Sequence, residues 1–275
     1  MRLLSVNLAR PRAADYTDAP GGATGIGKRP ADGPVAVAAP GPRGAGGSGL
    51  AGDFVGDLRF HGGDHQAVYA YAREDLDDWA AALGRDLPNG VFGENLTTAG
   101  VDVCGALIGE RWRVGERVVL EVSTTRTPCR TFTGRLTELG VLPASPSARG
   151  AEEGPGGPGT SGDPGKRPER WLKRFTRAAV PGAYLRVVEP GEIRAGDPVE
   201  ILYRPDHEVT SAFLFRALTT ERELLPRVLA AGDALPPREY EEARRYAGQA
   251  RETGETEKRG RTARPPASPG ASGAS

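Results

Sequence analysis

Hydrophobic residues along the chain fall into short runs rather than long helical stripes. Leu3–Leu8, Pro34–Ala38, Ala67–Tyr71, Arg111–Val114 and Arg117–Ser123 are rich in Val, Leu, Tyr or Trp and are bounded by Gly, Asp or Pro, which predicts strands. Gly182–Val188 and Val199–Tyr203 read the same way. One helical pattern interrupts them at about Glu74–Leu83, where Leu76, Trp79, Ala80 and Leu83 share a face, acids open the first turn and Gly84 ends it. Trp112–Leu120 echoes Ile193–Ile201, each an apolar-basic entry, a Gly-acid turn and a strand. Two such turns favour a mostly antiparallel, barrel-like core over a βαβ fold, which needs long helices between its strands.

Beyond Pro205 the pattern becomes helical, over Ser211–Leu218, Glu223–Ala230 and Pro237–Tyr246, with Leu224, Leu225, Val228 and Leu229 as a stripe that must pack on something. The predicted fold is therefore mainly β (α+β): a β-barrel-like core with peripheral helices over 1–204, then a small three-helix module over 206–247. Residues 143–168 are half Gly or Pro and hold no large apolar side chain, so nothing there offsets the entropy of ordering, and a disordered insertion is expected. The stretch 40–49 and the tail 248–275 have the same character.

Composition narrows the classes of function. Lys plus Arg equals Asp plus Glu at 36 each, so no overall field draws the chain to nucleic acid or to an anionic membrane. The 206–247 segment carries eight acids and six bases, which argues against a phosphate-reading helical module and against a nucleic-acid polymer as partner. The N-terminal apolar run is too short for a signal peptide and is closed by Arg10, Pro11 and Arg12. No run reaches membrane-spanning length. Two cysteines make no disulfide framework, so a cytoplasmic protein with reduced thiols, and no membrane partner, is expected.

Three segments could carry chemistry. Cys129 follows a predicted strand within Ser123–Thr133, among hydroxyls and between Arg126 and Arg130. Those arginines would favour the thiolate, a nucleophile or soft metal ligand, although local chemistry reads equally well as a loop cysteine without a role. Cys104, with apolar neighbours, reads as a small core residue. In His61-Gly62-Gly63-Asp64-His65 the two glycines oppose the helix that an i, i+4 ligand pair needs. As a turn, Gly62 and Gly63 let the backbone approach an anionic ligand while His61 exchanges a proton; a capped surface turn is the plain alternative. Glu94 and Asn95, within Phe92–Thr97, either orient a polar ligand or satisfy their own backbone. Phosphate-loop, Cys-x-x-Cys, Gly-x-Ser-x-Gly and His-Glu-x-x-His signatures do not occur.

Read in order, Leu4–Asn7, Gly49–Asp53, His61–Gly63 with Ala67–Tyr71, Phe92–Leu96, Gly109–Gly115, Pro128-Cys129 and Pro181–Val187 resemble MOSC-domain proteins of the YiiM type over about 1–204. Residues 206–247 resemble the helical module that follows in that group, and the 40–49 and 143–168 stretches depart from its pattern. The resemblance implies a β-rich fold descended from the C-terminal domain of molybdenum cofactor sulfurases. It implies a molybdenum cofactor (molybdopterin) with Cys129 as metal ligand, in a pocket shared by His61, Glu94, Asn95, Thr125 and Arg126. It further implies reduction of N-hydroxylated compounds, hydroxylaminopurine among them, as a detoxification; His61 and Glu94 are then the candidates for relaying protons, His61 the stronger because an imidazole titrates near neutrality while a carboxylate would need burial. The chain has no cysteine cluster for an iron–sulfur centre and no dinucleotide fingerprint, so this reading needs a separate electron-donor reductase. Two other classes stay open: a sulfur carrier using a Cys129 persulfide, and a non-catalytic cofactor carrier whose helices dock on a client enzyme.

Overall fold

A computed structural model describes residues 1–143 and 170–262, with side chains placed as far as Gln249. Apart from Pro143, the 143–168 insertion lies outside the described residues, as does the end of the chain after Thr262. In chain order the elements are β1 (Arg2–Leu8), β2 (Arg12–Ala13), β3 (Ala23–Thr24), β4 (Arg29–Pro30), β5 (Val35–Val37), β6 (Val68–Ala72), α1 (Arg73–Leu83), β7 (Leu96–Ala99), β8 (Arg111–Val114) and β9 (Val118–Thr124). They continue with α2 (Arg130–Glu138), α3 (Trp171–Ala178), β10 (Ala183–Glu189), β11 (Gly191–Ile193), β12 (Val199–Tyr203), α4 (Ser211–Thr219), α5 (Leu225–Val228) and α6 (Pro237–Thr262).

Eight strands form one sheet in the order β12-β8-β9-β10-β6-β7-β1-β4, an α+β arrangement. It is not closed into a barrel, which corrects the barrel-like expectation. Its far sides meet through an isolated Arg2–Pro198 bridge and a few backbone bonds, such as Leu3 N–H to Asp197 O at 2.8 Å, rather than through a strand ladder. Nor is it wholly antiparallel, because β6 and β7 run parallel with α1 as their crossover. Gly84 makes this unit possible: it takes φ 62° at the end of α1, and its N–H bonds back to Ala80 and Ala81, so the chain reverses and returns beside β6.

Two apolar cores flank the sheet. One joins Leu3, Trp112, Leu120, Val122 and Leu185 to Leu214, Leu225 and Val228. The stripe of the C-terminal helices thus packs on the sheet's own core. The other is a ring cluster of Tyr71, Trp79, Phe92, Phe132, Trp171 and Phe175, with edge-to-face contacts such as Phe92–Phe132 at 4.9 Å and Phe132–Phe175 at 5.2 Å. It ties α1, α2 and α3 together, so the two helices on either side of the 144–169 stretch pack directly on each other.

Two low-complexity segments take structure that composition alone does not predict. Residues 40–49 follow a hydrogen-bonded path, with Gly46 N–H to Pro42 O at 2.8 Å, Gly63 N–H to Gly47 O at 3.1 Å and Gly49 N–H to Ala67 O at 2.7 Å. Tertiary backbone bonds supply what apolar side chains do not. Helix α6 runs past Gly248 to Thr262, where a disordered tail was expected. That stretch holds three Arg and three Glu, which lose little entropy in a helix, beside three Gly and three Thr that oppose it.

Candidate functional site

A cavity of about 600 Å3 opens where β9 gives way to α2. Strand β9 is buried almost throughout, and the chain leaves it through Thr125 and Arg126, which stay buried at 5 % and 7 % exposure. Pairing with β10 ends at Thr124, and after Pro128 comes Cys129, extended at φ −128°, ψ 171°, at the N-cap of α2 without bonding to its backbone through the side chain. The cysteine lines the cavity, beside the unpaired N–H groups of a helix N-terminus, a place that suits negative charge.

Arg126 is locked in place. Its guanidinium donates to Phe92 O at 2.7 Å and lies 3.8 Å from the centre of the Phe132 ring and 5.3 Å from that of Tyr69. It comes within electrostatic reach of Cys129 and Tyr184. Arg130 does not join it, because Asp18 holds that guanidinium at 2.6 Å. Thr125 brings its hydroxyl oxygen to the same wall, buried and without a hydrogen-bond partner.

His61 lines the cavity opposite a carboxylate-held turn: its N–H bonds Asp57 O at 3.0 Å, and Asp57 is itself gripped by Arg59. Burial, then the charges of Arg126 and Arg43, hold the His61 pKa below its ordinary value against the pull of Asp57. The imidazole is therefore neutral at neutral pH. Gly62 and Gly63 take φ +79° and +78°, and a Cβ on either would fall within 2.8 Å of the 43–47 backbone. Their small size serves the packing of the 40–49 segment, and Gly62 alone of the two lines the cavity. His65 faces elsewhere, its carbonyl accepting from Ser123.

Glu94 and Asn95 separate. Glu94 is fully buried behind the wall, where it accepts from Phe92 N–H and Thr97 Oγ1, both at 3.0 Å, and from Gly90 N–H. Burial raises its pKa, and these donors oppose the rise. Asn95 faces the cavity, accepting from Tyr69 N–H at 3.1 Å and donating to Asn7 O at 3.2 Å and Asp53 Oδ2 at 2.8 Å.

Sequence reasoning passed over the Lys28–Asp53 pair. Lys28 Nζ lies 2.5 Å from both carboxylate oxygens, with side-chain exposures of 8 % and 1 %. Asp53 stood within a recognisable Gly-Asp motif, whereas Lys28, far from any motif, left no local signal. The C-terminal helices were also unforeseen at the site: Leu218 of α4 and Arg238, Glu239 and Glu242 of α6 form part of the wall. Cys104 lies away from it, its Sγ 3.4 Å from both Asp75 Oδ2 and Gly182 N. Among the described residues no group of three or more His, Cys, Asp or Glu could hold a metal ion. A metal here would rest on one thiol and bring its remaining ligands with it.

The chain matches the MOSC domain over residues 57–200 and belongs to that family. It is 30 % identical over 214 residues to the uncharacterized protein YflK of Bacillus subtilis (strain 168), covering 78 % of this chain and 79 % of that one. A protein named Reductase from Gibberella moniliformis matches at 31 % over 148 residues, 53 % of this chain and 21 % of its own length. Among solved structures, YiiM from Geobacillus stearothermophilus superposes with a TM-score of 0.61 at 21 % identity, over 89 % of this chain and 98 % of that one, a likeness of fold. No helix among the described residues is long and apolar enough to cross a membrane.

Proposed function

We propose that this protein is a cytoplasmic molybdenum-cofactor enzyme that reduces N-hydroxylated compounds, such as hydroxylaminopurine, to their amines. One observation carries the reading: a single cavity gathers Cys129, Arg126, Thr125, Asn95 and His61 from separate parts of the chain. The MOSC domain family is associated with molybdenum cofactor binding, and the wall suits such a group. It offers one soft ligand, a fixed guanidinium for an anionic group, a buried hydroxyl oxygen still lacking a partner and a polar amide.

Cys129 would hold the metal, with Arg126, Thr125 and Asn95 orienting the rest of the cofactor. When bound, the cofactor supplies the two electrons that break an N–O bond. The balance is R–NHOH + 2 e⁻ + 2 H⁺ → R–NH2 + H2O, so protons must reach the departing oxygen. His61 is our candidate to deliver them, because it lines the cavity, whereas Glu94 is buried with its oxygens engaged. The electrons come from a separate reductase, and the relative named Reductase supports a reducing role over a transfer role.

The test is to load the wild type, Cys129→Ala and His61→Ala with cofactor, add a chemical electron donor and follow the amine by chromatography. Amine from the wild type, none from Cys129→Ala, and a large loss in His61→Ala at unchanged metal content are expected. Metal-loaded wild type that makes no amine from any N-hydroxylated compound would overturn the reading, leaving the persulfide carrier and the cofactor carrier.

A further inference from the structure

The cations around the cavity are not equally satisfied. Lys28 is matched by Asp53 and Arg130 by Asp18, while Arg126 is fixed by a carbonyl and two rings. Arg43 and Arg238 differ. Both line the cavity, both are exposed, and among the described residues neither pairs with a carboxylate. Among the described residues, the Arg43 guanidinium donates one hydrogen bond, to Arg59 O at 3.2 Å.

These two residues line the same cavity although their sequence positions lie far apart. Glu239, next to Arg238, feels the charges of both guanidinium groups, and His61 feels that of Arg43. Arg43 is held there by its backbone, whose N and Cα sit where a Cβ on Gly63 would fall, at 2.7 Å. Glu239 does not cancel them. Its Oε2 is buried with no hydrogen-bond partner, so it spends no hydrogen bond on either guanidinium; burial raises its pKa and the two arginines oppose the rise. Glu242 is committed to Arg222 at 2.6 Å. Two forked donors that line one cavity, neither in an ion pair with a carboxylate among the described residues, suit a phosphate oxygen set.

We infer that Arg43 and Arg238 form a phosphate subsite at the cavity mouth, so that the substrate is an N-hydroxylated nucleotide rather than the free base. The phosphate part stands on the two arginines; the N-hydroxylated part rests on the reductase reading above. Arg43 belongs to the 40–49 stretch by which this chain departs from the YiiM-type pattern, so the preference would be this chain's own. A phosphate could come from a nucleotide or from the cofactor, and loading separates the two sources.

The experiment is equilibrium dialysis of the full chain, with and without cofactor, against adenosine 5′-monophosphate and adenosine. Wild type should bind the monophosphate at least about tenfold more tightly, the worth of one charge-assisted hydrogen bond. Arg43→Gln/Arg238→Gln should erase that preference without changing adenosine binding or the melting temperature, and Arg43→Lys/Arg238→Lys should keep part of it. Preference retained after cofactor loading assigns the subsite to a nucleotide. Preference abolished by loading, with the Gln variant losing pterin on gel filtration, gives the phosphate to the cofactor and overturns the nucleotide assignment. Equal binding of the two probes in the wild type, or an unchanged preference in the Gln variant, overturns the subsite itself. Turnover failing on every N-hydroxylated compound while the preference persists would remove the reductase reading and leave the subsite standing.

Discussion

The ring of Tyr16 fills the space that a Cβ on Gly134 would need, its Cγ 2.3 Å from that position. Gly134 lies inside α2, and Tyr16 also donates to Glu138 Oε2 at 2.8 Å, beside Arg12. The N-terminal segment thus clamps the helix whose first residue follows Cys129. Gly134→Ala gains about 1 kcal/mol of helix propensity but forces the ring aside, at about 1–3 kcal/mol. A lower melting temperature is expected, recovered in Tyr16→Ala/Gly134→Ala. A single variant that melts at or above wild type would show that the contact does not hold α2.

Metal retention separates the two thiols. Cys129→Ser should lose molybdenum, because it removes the one thiol of the cavity, whereas Cys104→Ser, away from it, should keep most. Elemental analysis of protein made in a cofactor-competent host decides, and equal contents would end the ligand assignment.

The pH dependence of His61 has a definite sign. With its pKa held below the usual His value, the donor form is scarce at pH 7 and grows as pH falls, so kcat/KM should rise towards acid with an apparent pKa below about 6.5. His61→Gln should lack that limb. The same shift acts on folding: the unfolded chain binds the extra proton more readily, so the neutral imidazole's contribution is present above about pH 6.5 and is lost as pH falls through the folded pKa.

Burial makes Lys28–Asp53 costly to break. Burial lowers the Lys28 pKa, and Asp53 opposes the fall. Lys28→Met leaves a buried carboxylate facing only Asn95 and Ala9 N–H, and a loss of about 3–5 kcal/mol is expected in denaturant unfolding. A change under about 1 kcal/mol would mean water reaches Asp53.

What was legible in the sequence follows from range. Strands β8 and β12 match their predicted spans and α1 differs by one residue, because alternation, propensity and a Gly stop are local signals. Helices α2 and α3 were missed: each buries two aromatic or aliphatic residues four apart, Phe132 with Leu136 and Trp171 with Phe175, too few to register as a period. The parallel β6–β7 pairing and the ordered 40–49 path depend on backbone bonds between distant segments, which composition does not encode. At the site, the turn that carries His61 and the loop that carries Cys129 were visible as unusual local chemistry. Lys28, Arg43 and Arg238 were not, since each acquires meaning only from neighbours far away in sequence.

The contact between the first strand and the far side of the sheet bears on synthesis. Val199 N–H bonds Met1 O, and Gly196 N–H bonds Leu3 O, so these strand residues, once synthesised, await partners some two hundred residues later. At about 5–20 residues per second that is a delay of roughly ten seconds or more. During it β1 can pair with β4 and β7 but not with the Gly196–Val199 segment. The nascent chain therefore carries an unfinished strand until Gly196–Val199 emerges, and the walls of the cavity, drawn from Thr17 to Glu242, are completed later still.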